Sequence, residues 1–188
     1  MSDRFDILTT PITGLHVIHR KPLGDRRGYF ERLFCTEELG ALISSSRIEQ
    51  INHSFTSLRG AVRGLHFQYP PHAEMKFVTC LKGKVFDVAV DLRQGSPTFL
   101  RWHAEMLSED NHNTLVIPEG FAHGFQALTD GCELLYLHTA SWQPAAESGI
   151  DALDPALAIA WPIPITERSP RDACLLYTSD PADAHPFL

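Results

Sequence analysis

Three side chains suited to proton chemistry on an anionic substrate fall within one short stretch: the guanidinium of Arg63, the imidazole of His66 and the ammonium of Lys76. The stretch, Gly60-Ala-Val-Arg-Gly-Leu-His-Phe-Gln-Tyr-Pro-Pro-His-Ala-Glu-Met-Lys76, reads as a strand, a Pro-Pro turn and a second strand. An imidazole is the side chain best matched to removing a proton near neutral pH. A nearby ammonium can hold the oxyanion that forms as the proton leaves. A guanidinium offers a planar fork to phosphate oxygens. The combination points to proton abstraction beside a carbonyl on an anionic substrate.

The element carrying these groups decides whether they can cooperate. On a strand, His66 faces away from its neighbours Leu65 and Phe67. Arg63 lies on the opposite face of a regular strand from His66, and a bulge at Gly64 would turn the two together. The rest of the chain also reads as β. Lys84–Leu92 alternates after a turn at Leu81–Lys84, and Thr114–Pro118 and Phe121–Leu128 flank a Pro-Glu-Gly turn. Cys132–Thr139 is a further apolar run. Turn signals recur about every ten residues, the mark of a β-sandwich or barrel. Only Thr36–Ile43 reads as a helix, with Thr36 as its cap. There is no internal repeat and no linker, so residues 1–173 are expected to form one domain. Residues 174–188 lack periodicity and carry two prolines, and read as an atypical tail.

Composition narrows the function. The chain has 188 residues, 44% hydrophobic and 21% charged, ordinary values for a globular domain with a real core. A net charge of -7 without a basic run speaks against nucleic-acid binding, so an anionic small molecule needs a local basic pocket. No apolar run approaches a membrane span and the start, Met1–Asp6, does not resemble a signal peptide. Cys35, Cys80, Cys132 and Cys174 are scattered without Cys-x-x-Cys spacing, so neither a zinc site nor a disulfide framework is expected. The expected compartment is the cytoplasm.

Four motifs occur in order: Arg63-Gly-Leu-His-Phe-Gln68, Val85-Phe-Asp-Val-Ala-Val-Asp-Leu-Arg93, Ser96-Pro-Thr-Phe99 and Ile117-Pro-Glu-Gly-Phe-Ala-His-Gly-Phe125. Together they resemble the dTDP-4-dehydrorhamnose 3,5-epimerase family, from about Phe5 to Asp172. The resemblance implies an all-β cupin, a double-stranded β-helix or jelly-roll barrel with short peripheral helices, usually a homodimer. It implies inversion of carbons 3 and 5 of a dTDP-linked 4-keto-6-deoxy sugar, without cofactor or metal. By motif match, His66 is the implied base, Lys76 the group steadying the enolate oxygen, Tyr136 the acid on the opposite face and Asp172 the carboxylate paired with the base. Arg27, Glu31, Gln50, Asn52, Arg63, His123, Glu147 and Arg171 are implied substrate contacts, and Trp142 is implied to stack on thymine. The chain departs from the family pattern in places. Arg27-Gly-Tyr-Phe-Glu31 is one residue short, Trp142 stands where Tyr is usual, and Arg171 stands where Lys is common.

Three alternatives stay open at the level of sequence. A metal-dependent cupin needs a second imidazole beside the first. Here His66-Phe-Gln68 lacks it, and Glu74 falls at an irregular place. Inversion at carbon 3 alone, or ketoisomerisation of a related nucleotide sugar, uses the same base. A non-catalytic sugar-binding cupin needs no base and acid on opposite faces.

Overall fold

The chain's alternating segments assemble into two antiparallel sheets that share one apolar interior. The structure, a computed structural model, describes residues 4–43 and 46–175. In chain order its strands are β1 (Phe5–Thr9), β2 (His16–Arg20), β3 (Leu23–Asp25), β4 (Gly28–Phe30), β5 (Gln50–Thr56), β6 (Val62–Gln68), β7 (Lys76–Lys82), β8 (Lys84–Asp91), β9 (Trp102–Ser108), β10 (Asn113–Ile117), β11 (Phe121–Ala127), β12 (Cys132–His138) and β13 (Glu147–Gly149). One sheet runs β1-β2-β10-β7-β12-β5 and the other β13-β6-β11-β8-β9, while β3 and β4 form a separate hairpin. This is the all-β jelly-roll arrangement expected from the motifs. The helix α1 (Thr36–Ile43) and a 3₁₀ turn at Asp172–Cys174 complete the named elements.

Strand β8 shows why the central segments are so apolar. Val85 and Ala89 point into the barrel beside Leu107, Leu115 and Phe125. Val88 and Val90 point outward, where Leu157, Trp102 and Trp161 cover them. Both faces are therefore buried, and the one polar side chain inside the strand, Asp87, is paired with His123 at 2.8 Å. The strand stops at Asp91, whose carboxylate accepts hydrogen bonds from Arg93 Nε (2.8 Å), Ser96 Oγ (2.6 Å) and Thr98 Oγ1 (2.7 Å). Burial works against the charge on Asp91, but these donors outweigh it and hold its pKa down to about 2.

Helix α1 covers the outer face of the larger sheet through Leu39 and Ile43, one turn apart, against Phe5, Phe77 and Val116. Each buried side chain of this size contributes about 1.5–3 kcal/mol. The expectation that Thr36 caps this helix needs correction. The first helical bond runs from Leu39 N to the carbonyl of Cys35, so Thr36 is already inside the first turn. Glu37 and Glu38 follow it there, which suits the positive end of the helix.

Most of the expected tail, residues 176–188, lies outside the described residues. Its first part does pack: the methyls of Leu175 would come within 3.0 Å of any Cβ placed on Gly149. No helix among the described residues is long and apolar enough to cross a membrane.

Candidate active site

The Pro70-Pro71 turn carries the chain from one sheet to the other, so β6 and β7 end up on opposite walls of one cavity. The cavity has a volume of about 720 Å³, within the usual range for a small-molecule site. His66, Arg63 and His123 line it from the five-stranded sheet; Lys76, Tyr136, Gln50 and Asn52 line it from the six-stranded sheet.

Gly64 is what lets Arg63 and His66 share the cavity. Along β6 the partners of His66 and Arg63 are His123 and Phe125, so Gly64 and Leu65 together oppose the single residue Gly124. Gly64 takes φ +105°, and a Cβ there would lie 2.6 Å from the carbonyl oxygen of His123. Only glycine fits that position without moving backbone. The bulge turns Arg63 inward, where Nε donates to Thr56 Oγ1 (3.0 Å) and Nη2 to the carbonyl of Phe55 (3.1 Å).

His66 is held by a carboxylate. Its Nε2 lies 2.7 Å from Oδ1 of Asp172, and the amide of Gly64 donates to Oδ2 at 3.1 Å. Asp172 is 3% exposed. Burial disfavours its charge, but His66, the Gly64 amide and Ser169 outweigh that and keep its pKa below the ordinary carboxylate value. An ionised Asp172 fixes the proton of His66 on Nε2 and leaves the Nδ1 lone pair as the basic atom. Arg171 approaches the same ring, with Nη2 3.1 Å from Nε2, while Nη1 donates to Glu147 at 2.9 Å. Glu147 also accepts from Trp142 Nε1 at 3.0 Å, and the amide of Trp142 donates to Gln50 at 2.9 Å. The indole is 52% exposed, with a face open to a ligand.

The other wall has a different character. Tyr136 is partly buried, and its hydroxyl lies 3.2 Å from Ser54 Oγ. Burial pushes its pKa well above the usual phenol range, only partly offset by Ser54 and the charge of Arg63. The phenol therefore stays protonated at any working pH. Lys76, at the start of β7, pairs with Glu74 at 3.1 Å and donates to the carbonyl of His66 at 3.3 Å. His123 lies 2.8 Å from the fully buried carboxylate of Asp87.

Eleven of the thirteen residues expected at the site line this cavity; Arg27 and Glu31 do not. Arg27 sits on the exposed β3–β4 hairpin, clamped to Asp25. Glu31 belongs to a different structure altogether: it accepts from Nε of the buried Arg20 at 2.8 Å and lies 2.9 Å from His112. In its own chain Glu31 is the counter-charge of a guanidinium that is 2% exposed, and it lies outside the residues lining this cavity.

Several lining residues had escaped notice. Ser54 and His138 sit two positions from Asn52 and Tyr136 respectively, so the period of the strand brings them to the same face. Burial lowers the His138 pKa to about 4, helped by the charges of Lys76 and His123, so this imidazole is neutral and its Nε2 can accept from Asn52 at 3.3 Å. Glu74 and its partner Gln68 also line the cavity.

The fold and the site define a cupin-type barrel whose open end presents a carboxylate-held imidazole, an ammonium and a phenol to one ligand. The sequence model of the dTDP-4-dehydrorhamnose 3,5-epimerase family matches residues 9–180, and the chain belongs to that family. It is 41% identical over 169 residues to the dTDP-4-dehydrorhamnose 3,5-epimerase of Salmonella typhimurium, covering 89% of this chain and 92% of that protein. It is 40% identical over 174 residues to the dTDP-4-dehydrorhamnose 3-epimerase of Streptomyces niveus, covering 92% and 84%. The crystal structure of the 3,5-epimerase from Legionella pneumophila, in complex with dTDP-4-keto-L-rhamnose, superposes with a TM-score of 0.87 at 40% identity over 92% of both chains.

Proposed function

We propose that this protein inverts carbons 3 and 5 of dTDP-4-dehydro-6-deoxyglucose, giving dTDP-4-dehydrorhamnose. The observation that carries the reading is that a base and an acid face one cavity from opposite sheets. Both carbons are α to the ketone at carbon 4, which acidifies their hydrogens. Inversion requires that a proton leave from one face and return to the other, hence two different residues. His66 takes the proton at Nδ1, and Asp172 supports the imidazolium that results. Lys76 stabilises the enolate oxygen, an interaction worth about 3 kcal/mol in comparable sites. Tyr136 delivers a proton from the opposite face. Arg63 and Arg171 supply cations for the diphosphate, and Trp142 offers its open face to the thymine. Gln50, Asn52, His123 and Glu147 complete the substrate contacts.

A homodimer fits the hairpin. Tyr29 and Phe30, beside Arg27, are 62% and 70% exposed, an apolar pair suited to a second copy. Contact between Arg27 and a ligand needs such a copy, because Arg27 is remote from the cavity of its own chain. Cys35, Cys80 and Cys132 are all unpaired, which suits the reducing cytoplasm.

The test is incubation with dTDP-4-keto-6-deoxyglucose in deuterated water, followed by proton NMR. Deuterium at carbons 3 and 5 with formation of the rhamno product is the expected result. Deuterium at carbon 3 alone would make this chain a 3-epimerase like its Streptomyces niveus relative. No exchange, with dTDP bound, would overturn the epimerase reading.

A further inference from the structure

The acid's own chemistry poses a problem that the assigned residues leave unsolved. When Tyr136 gives its proton to the enolate carbon, the phenol O–H bond breaks, a C–H bond forms, and a buried phenolate is left that the charge of Arg63 only partly offsets. Burial penalises that phenolate, as the raised pKa of Tyr136 shows. Lys76 pairs with Glu74 at 3.1 Å, donates to the carbonyl of His66 and is the group assigned to the enolate oxygen. The rings near Tyr136 are His123, edge-on at 6.2 Å between centroids, and His138, stacked at 6.1 Å. Among the described residues the hydroxyl's hydrogen-bond partner is Ser54 Oγ, 3.2 Å away.

Ser54 is well placed to serve it. It lies on β5, an edge strand of the six-stranded sheet, is only partly buried, and lines the cavity itself. In the register of β5 on β12 it pairs with Leu134, with Asn52 directly opposite Tyr136, so its side chain shares the face that carries the phenol.

We infer that Ser54 is a positioning residue for the acid: its hydroxyl aims the phenol and then donates a hydrogen bond to the phenolate until water restores the proton. The inference rests on reading Tyr136 as the acid. Over one turnover the proton taken by His66 is released to solvent and one from solvent returns to Tyr136, so the substrate is isomerised with no net change in protons. A hydrogen bond to a charged group is worth more than one to a neutral group, so Ser54 favours proton donation over the resting state.

Threonine and valine provide the test, because they are nearly isosteric and differ in the hydroxyl. Ser54→Val should retain dTDP affinity and hydrogen–deuterium exchange by His66, while the ratio of inversion to exchange falls roughly tenfold. Ser54→Thr should restore that ratio. Equal ratios in the two variants would overturn the role of Ser54. Tyr136→Phe separates this failure from a failure of the underlying reading: if that variant inverts substrate at the normal rate, Tyr136 is not the acid. If it loses inversion while the valine and threonine variants behave alike, Ser54 alone is removed from the mechanism.

Discussion

His66 and Tyr136 face the same cavity from different sheets, and the two sheets surround them differently. On the five-stranded side the imidazole meets an ionised carboxylate at 2.7 Å, which the amide of Gly64 in turn holds in place, while the backbone amide of Asp172 itself donates to Ser169 Oγ. On the six-stranded side the phenol has a 3.2 Å contact with a serine hydroxyl, between two imidazole rings. The contrast suits the roles proposed for them, His66 as base and Tyr136 as acid. A base becomes positively charged when it acts, so a buried counter-charge favours its acting form. An acid must hold its proton until the enolate is present, so burial without a strong cationic partner keeps it loaded. Each wall raises the readiness of its own group by opposite electrostatic means.

Removing the two groups should break the reaction differently. His66→Ala should reduce exchange and inversion together by about 10³-fold, with dTDP binding retained in calorimetry. Tyr136→Phe should reduce inversion by about 10²-fold but leave exchange within a few-fold, because His66 can return a solvent-derived proton to the face it came from. Asp172→Asn tests the support of the base. An amide cannot stabilise the imidazolium and can favour the wrong tautomer, so exchange and inversion should both fall about 10²-fold with their ratio unchanged.

Gly64→Ala attacks the backbone beneath the base. Its Cβ would meet the His123 carbonyl at 2.6 Å and its φ of +105° is foreign to alanine, so unfolding free energy should drop by about 2–4 kcal/mol in urea titration. The smallest effect concerns the acid's wall. The folded pKa of His138 is lowered from 6.5 to about 4, so between these values the unfolded chain binds more protons. Stability is therefore lost as pH falls from 6.5 towards 4, and His138→Gln should flatten that part of the stability–pH curve.

The strands were legible because their apolar runs and turns are local. Lys84–Leu92 and Cys132–Thr139 each differ from the observed strand by one residue at the end. The Arg63–His66 geometry was legible only conditionally: the sequence shows a glycine between them, but a bulge depends on the partner strand supplying one residue opposite two. Ser54 and His138 were missed because a serine on an edge strand and a histidine in an apolar strand carry no signal until the barrel closes around them. The pairing of Glu31 with Arg20 was illegible for the complementary reason, since Arg20 lies on another strand and its need for a counter-charge is set by burial.

By itself the sequence determined the all-β class, the order of the strands along the chain and the residue types able to do proton chemistry. These rest on side-chain period, turn-forming residues and intrinsic acidity, which are properties of short segments. Only the tertiary structure decided that His66 and Tyr136 belong to opposite walls, that Asp172 reaches across 106 positions to His66, and that Glu31 serves Arg20. Those outcomes depend on which distant strands pair, and on the burial that pairing creates, because burial sets whether a charge is held, neutralised or left to water.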